Sequence, residues 1–229
     1  VPGAETMNAA DSGVVLAYFS ATAVSIPPQA IGGISAPLTG GAPVTTVTET
    51  GQFTGTVTWS GNPTTFIGGT VYTATITLTP KAGYSLTGVS ADSFTVAGAT
   101  ATNGQGSGVI TAVFPATAFL VITPQTLSGL VAPVTGVAPV TTVTETGQFT
   151  GTVTWSGNPT TFIGGTVYIA TVTLSPKAGY TLTGVAANSF AVAGAASVNN
   201  ANSGIVEVTF PATIAEVDPQ IFSSNAIYS

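Results

Sequence analysis

The chain has 229 residues, 44% of them hydrophobic, so it can bury a real core, yet only 4% are charged and its formal net charge is −6. Two cations, Lys81 and Lys177, with no Arg, argue against nucleic acid as a partner, because neutralising phosphates takes clustered basic groups. No apolar run reaches the ~18 residues that a membrane span requires, and the lack of Cys and His removes disulfides, thiolate metal sites and the commonest general base.

In chain order, the first element is a partial copy of something seen again later. Asn8 to Phe19 (NAADSGVVLAYF) matches Asn103 to Phe114 (NGQGSGVITAVF) at an offset of 95 residues. Gly13 to Phe19 is expected to form a hairpin with a neighbour near Val1. Such a hairpin is marginal in water, so Val14, Val15, Leu16, Tyr18 and Phe19 become candidates for covering by another chain. Pro27-Pro28 reads as a linker. Phe53 to Trp59 then alternates strictly, predicting a half-buried strand with Phe53, Val57 and Trp59 inward and Thr54, Thr56 and Thr58 outward. Tyr72 to Thr79 does the same, with Tyr72, Ala74, Ile76 and Leu78 inward and four Thr outward, until Pro80. Further strands are expected at Tyr84 to Val89, Ser93 to Val96 and Val109 to Phe114, separated by Gly- and Asn-rich turn signals. No helical spacing of apolar residues occurs.

Ala42 to Tyr72 recurs unchanged as Ala138 to Tyr168, a period of 96 residues, and Pro80 to Tyr84 recurs as Pro176 to Tyr180. A unit this long is too large for a solenoid repeat and suits a sandwich domain of about 100 residues. The expected division is 1–26 as the closing part of an incomplete repeat, 27–122 and 123–218 as two complete repeats, and 219–229 as the start of a further repeat or a donor strand. In that tail, Pro219-Gln220-Ile221-Phe222 echoes Pro124-Gln125-Thr126-Leu127, which makes Ile221 and Phe222 assembly candidates. Two periods leave 37 residues over. Val1 follows no signal peptide or initiator Met, so the chain reads as a mature or excised segment. The fold class expected is all-β, with tandem immunoglobulin-like or fibronectin III-like β-sandwich domains. Trp59 and Trp155 are expected to anchor the cores, and Tyr84 and Tyr180 to act as corner tyrosines.

The Tyr72 to Tyr84 block, Thr56-Val-Thr-Trp-Ser60 and the recurring APVTG-like and VFPAT-like joints resemble tandem immunoglobulin-like repeats of large bacterial extracellular surface proteins. The resemblance implies an extracellular or cell-surface protein serving as stalk, layer component or adhesin spacer. The chain departs from such proteins in carrying no sorting signal or wall-binding module.

The function expected is structural and non-enzymatic: a subunit of a self-assembling fibre or layer, with strand completion between copies of itself, head to tail. The low surface charge favours association, and adding a strand to an open edge supplies main-chain hydrogen bonds. Glycans are the second class of partner, as for a carbohydrate-binding adhesin, with Phe66 and Phe162 beside Asn-Pro and Gly-Gly as the loop aromatics to do it. Outward Thr rows suit O-glycans better than ice, and their plain role is strand propensity. Some similar surface domains carry a self-formed Lys–Asn amide cross-link, for which Lys81 and Lys177 with Glu49 and Glu145 are the available groups, although Pro80-Lys81-Ala82-Gly83 reads as an exposed turn. The eight acidic residues are scattered, and Asp92 is replaced by Asn188 in the sister repeat, so neither a catalytic pair nor a metal or cofactor site is expected.

Overall fold

The computed structural model describes residues 4–8, 13, 15–19 and 22–215, all of it strand, turn and loop. The chain divides into two compact units, Val1–Ala118 and Phe119–Ser229. The first begins with a two-stranded antiparallel sheet, β1 (Ala4–Asn8) and β2 (Val15–Phe19).

Eight further strands follow in that unit: β3 (Val24–Ser25), β4 (Gln29–Ile31), β5 (Phe53–Trp59), β6 (Thr73–Pro80), β7 (Tyr84–Ser85), β8 (Phe94–Val96), β9 (Thr100–Asn103) and β10 (Val109–Val113). Four make an antiparallel sheet in the order β5-β6-β10-β9. Its register sets Thr54 against Thr79, Thr56 against Thr77 and Thr58 against Thr75, so the outer face is a row of Thr pairs. The inner face carries Phe53, Val57, Trp59, Ala74, Ile76, Leu78, Ile110 and Ala112, all buried. Opposite lie two short parallel pairs, β3 with β7 and β4 with β8, whose Ile31, Phe94 and Val96, together with the neighbouring Ile26, join the same apolar cluster. The result is a two-layer β-sandwich with one core, and the period-two alternation of the long strands is what divides it from solvent.

The second unit repeats this plan with β11 (Leu120–Val121), β12 (Gln125–Thr126), β13 (Phe149–Trp155), β14 (Ile169–Pro176), β15 (Tyr180–Thr181), β16 (Phe190–Ala191), β17 (Ala196–Asn199) and β18 (Ile205–Thr209). Its sheet runs β13-β14-β18-β17, with β11 parallel to β15 and β12 parallel to β16.

The join falls about four residues earlier than the expected 122/123. Leu120 pairs with Tyr180, and Ile122 is fully buried in the second core; likewise β3 and Ile26, expected within 1–26, belong to the first body. The prolines at 27 and 28 interrupt one edge segment between β3 and β4 rather than separating bodies, since Pro lacks the N–H that a continuous ladder would need. Tyr84 to Val89 pairs only at its first two residues. Gly88 sits at φ +89°, and the Val89 N–H turns back to the Leu86 carbonyl at 3.0 Å, which ends the strand.

Candidate functional site

The hairpin β1–β2 is built on the same register as the closing hairpin of each body. Asn8 faces Val15, Asn103 faces Ile110 and Asn199 faces Val206, and the next three pairs run in step. Val15, Ala17 and Phe19 therefore hold the register positions of Ile110, Ala112 and Phe114. In the bodies, the closing hairpin has work on both sides. β10 pairs along its other edge with β6, from Val109 against Thr77 to Val113 against Thr73, and β18 pairs likewise with β14. Among the described residues, no strand pairs with the corresponding edge of β2. Of the candidates for assembly, Val15, Leu16, Tyr18 and Phe19 lie in β2, whereas Val14, Ile221 and Phe222 lie outside the described residues.

The Asn that opens this register is the fastening point of the hairpin. Asn103 is buried; its Oδ1 accepts the Ser93 and Phe94 N–H groups at 2.9 and 3.3 Å, and its Nδ2 donates to the Ser90 and Gly104 carbonyls, both at 3.0 Å. Asn199 repeats the pattern with Ser189, Phe190, Ala186 and Asn200. The side chain ties the hairpin to the loop before β8 or β16 and satisfies buried main-chain groups there. Sequence reading takes Asn103 only as the first residue of a turn; its recurrence at 8, 103 and 199 is the signal that marks it.

The edges of the bodies are largely covered. Along β5, the Val57 N–H reaches the Thr45 carbonyl at 2.8 Å and the Val47 N–H reaches Gly55 at 3.2 Å; along β9, the Asp92 N–H reaches the Asn103 carbonyl at 2.9 Å. Such cover is how sheets avoid indiscriminate pairing. Asp92 and Asn188 both adopt a left-handed conformation, φ +52° and +56°, which Asp and Asn share. That backbone requirement explains why the two interchange.

The aromatic residues sort differently from expectation. Trp59 and Trp155 are buried, and their Nε1–H groups donate to the Val44 and Val140 carbonyls at 2.8 Å. Tyr84 and Tyr180 are half-buried against the cores. The hydroxyls that reach back along the chain are those of Tyr72 and Tyr168, which accept the Ile67 and Ile163 N–H groups at 2.9 Å, so these are the tyrosines in the corner role. Phe66 and Phe162 are not loop aromatics open to a sugar. Each is buried, packing edge-on against its Trp and Tyr with ring centroids 4.7 to 4.9 Å apart, because the loop folds back and the Phe66 N–H bonds to Gly41.

Lys81 contacts Glu49, and Lys177 contacts Glu145, through ion pairs in which the Lys side chains are 35% and 32% exposed and the Glu side chains 65%. No Asn is among the hydrogen-bond partners of either amine. The amide cross-link requires a buried, desolvated amine beside an Asn, and these lysines sit instead in solvated pairs of the kind worth about 0–1 kcal/mol. Among the described residues, no group of three or more Asp or Glu is placed to hold a metal ion. No protein-family description, curated protein or solved structure matches the chain.

Proposed function

We propose that the chain is a non-enzymatic structural protein of the cell exterior, a subunit of a self-assembling fibre or layer in which β1–β2 is completed by a neighbouring copy. The observation that carries this reading is the shared register of the three hairpins. Two of them are fastened into sandwiches along one long edge, and the third has the same fastening Asn and an open β2 edge among the described residues. A two-stranded ribbon is marginally stable by itself, and main-chain pairing with another copy satisfies its edge. A surface with 4% charged residues offers little repulsion to oppose association. In this reading the bodies are immunoglobulin-like or fibronectin III-like modules arranged as spacers, with no cofactor, and reaction chemistry is left without a His or a paired carboxylate to perform it.

The test is negative-stain electron microscopy of the purified chain beside a variant lacking residues 1–21, a deletion that stops short of β3. Regular filaments or sheets that vanish on deletion are expected. Isolated particles at every concentration reject self-assembly and leave the stalk of a larger adhesin as the better reading.

A further inference from the structure

One end of the second body is a knot of three loops, 133–137, 161–167 and 211–215. The Gly136 N–H bonds to the Phe162 carbonyl at 2.8 Å, the Phe162 N–H to Val137 at 2.9 Å and the Gly165 N–H to Thr213 at 2.9 Å. The Thr135 hydroxyl donates to the Ile214 carbonyl at 2.6 Å, and buried Thr213 donates to Ile163. This frame holds Val134, Ile163 and Ile214 outward at 59%, 67% and 86% exposure, with Val137 and Val167 also exposed beside them. A cleft of about 300 Å³ lined by Pro133, Val134, Thr135, Ile214 and Ala215 opens there, with no charged residue in its lining. Five outward aliphatics on one rigid end are more than isolated surface apolar residues, and contiguous patches of this kind mark interaction surfaces.

Two features of the chain identify the occupant. In the first body the corresponding end has the Thr39 hydroxyl on the Ala118 carbonyl, and after Phe119 alone the polypeptide enters β11. Within this chain, such an end therefore continues directly into more of the same protein. The second body's end is also the more apolar of the two, because Gly41 and Ala118 are replaced there by Val137 and Ile214. A partner for it must be uncharged and apolar, as Val15, Leu16, Tyr18 and Phe19 of β2 are by sequence, and must itself need covering.

We propose that this end of the second body, centred on Val134, Ile163 and Ile214, is the seat for β1–β2 of a second copy. The proposal rests on the self-assembly reading and supplies its second surface. Hairpin and seat are different surfaces of the same chain, so the contact is heterologous and propagates into a filament unless a ring closes.

The test uses the full chain carrying Val134→Ser, Ile163→Ser and Ile214→Ser together, substitutions that leave net charge unchanged and fall on exposed side chains. Thermal unfolding by circular dichroism checks that the bodies remain intact. A control carries Val109→Ser, Val113→Ser and Ile205→Ser on the outer faces of the two sheets. Light scattering and electron microscopy across a concentration series are expected to show a concentration for half-assembly raised at least tenfold in the first variant, and unchanged in the control. Mixing an Ala17→Cys chain with an Ile214→Cys chain in this otherwise Cys-free protein is expected to give a disulfide-linked heterodimer on oxidation. Wild-type assembly that is abolished by deleting 1–21 but matched by the seat variant overturns the seat and leaves self-assembly standing, with the hairpin bound elsewhere. A wild-type chain that stays monomeric throughout overturns both.

Discussion

Replacing Asn103 by Ala removes four hydrogen bonds at once and leaves the Phe94 N–H, on a buried residue, without its acceptor. Net contributions of about 0.5–1.5 kcal/mol per bond, with the 3.3 Å bond at the low end, give a loss of about 2–4 kcal/mol. Against the ~5–15 kcal/mol stability of a domain this size, that is a large fraction. Each body holds one Trp, so a Trp155→Phe background leaves Trp59 as the sole indole and makes its fluorescence report on the first body alone. In urea, with a slope of about 1–2 kcal/mol per M, the midpoint should fall by roughly 1–3 M without a change in slope. A loss under about 1 kcal/mol would refute the view that this Asn fastens the closing hairpin, and with it the weight placed on Asn8. Asn199→Ala in a Trp59→Phe background should destabilise the second body by a similar amount.

Other substitutions probe the remaining contacts. Trp59→Phe removes the Nε1–H bond to Val44 and leaves a void, and should cost about 2–4 kcal/mol by the same urea titration read through circular dichroism. Tyr72→Phe loses only the hydroxyl on the Ile67 N–H, an exposed residue that water can serve, so a smaller loss of about 0.5–1 kcal/mol is expected, whereas Tyr84→Phe should be silent. Gly129 lies at φ +83° with space for a Cβ only 2.7 Å from the Thr144 nitrogen; Gly129→Ala should cost more than about 2 kcal/mol in thermal unfolding. Lys81→Met should change stability by less than about 1 kcal/mol, and intact-protein mass spectrometry should return the sequence mass, with no loss of ammonia.

The long strands were legible because seven or eight residues give the alternation room to show. Phe53 to Trp59 and Thr73 to Pro80 carry it plainly. Strands β3, β4 and β9 have two to four residues, and β3 and β4 pair in parallel with segments about 60 residues away, so no local period exists to betray them. Phe66 is misread for a related reason. Pro and Gly neighbours mark a loop, and loops are usually exposed, yet the bonds of this one to Gly41 and of its Thr70 to Thr117 fold its aromatic residue under the sheet. The choice between Tyr72 and Tyr84 as corner residue also turns on where a loop returns, which residue type and strand position do not reveal.

Internal repetition offers a comparison that a single domain lacks. A slip of one residue in an antiparallel pair sends every side chain to the opposite face, so register is held wherever one face must be buried. In β9–β10 and β17–β18 the reason for the register is visible: Ile110 and Val206 go to the core and the Asn side chains to the loops. β1–β2 has the same register with Asn8 in the same place, although the loop that Asn103 binds in the first body is already occupied by Asn103 itself. A free ribbon has no core to enforce that choice. Its register is the one required for docking against a partner, and this physical reason makes the hairpin, rather than the unusual composition, the place to begin testing how the protein assembles.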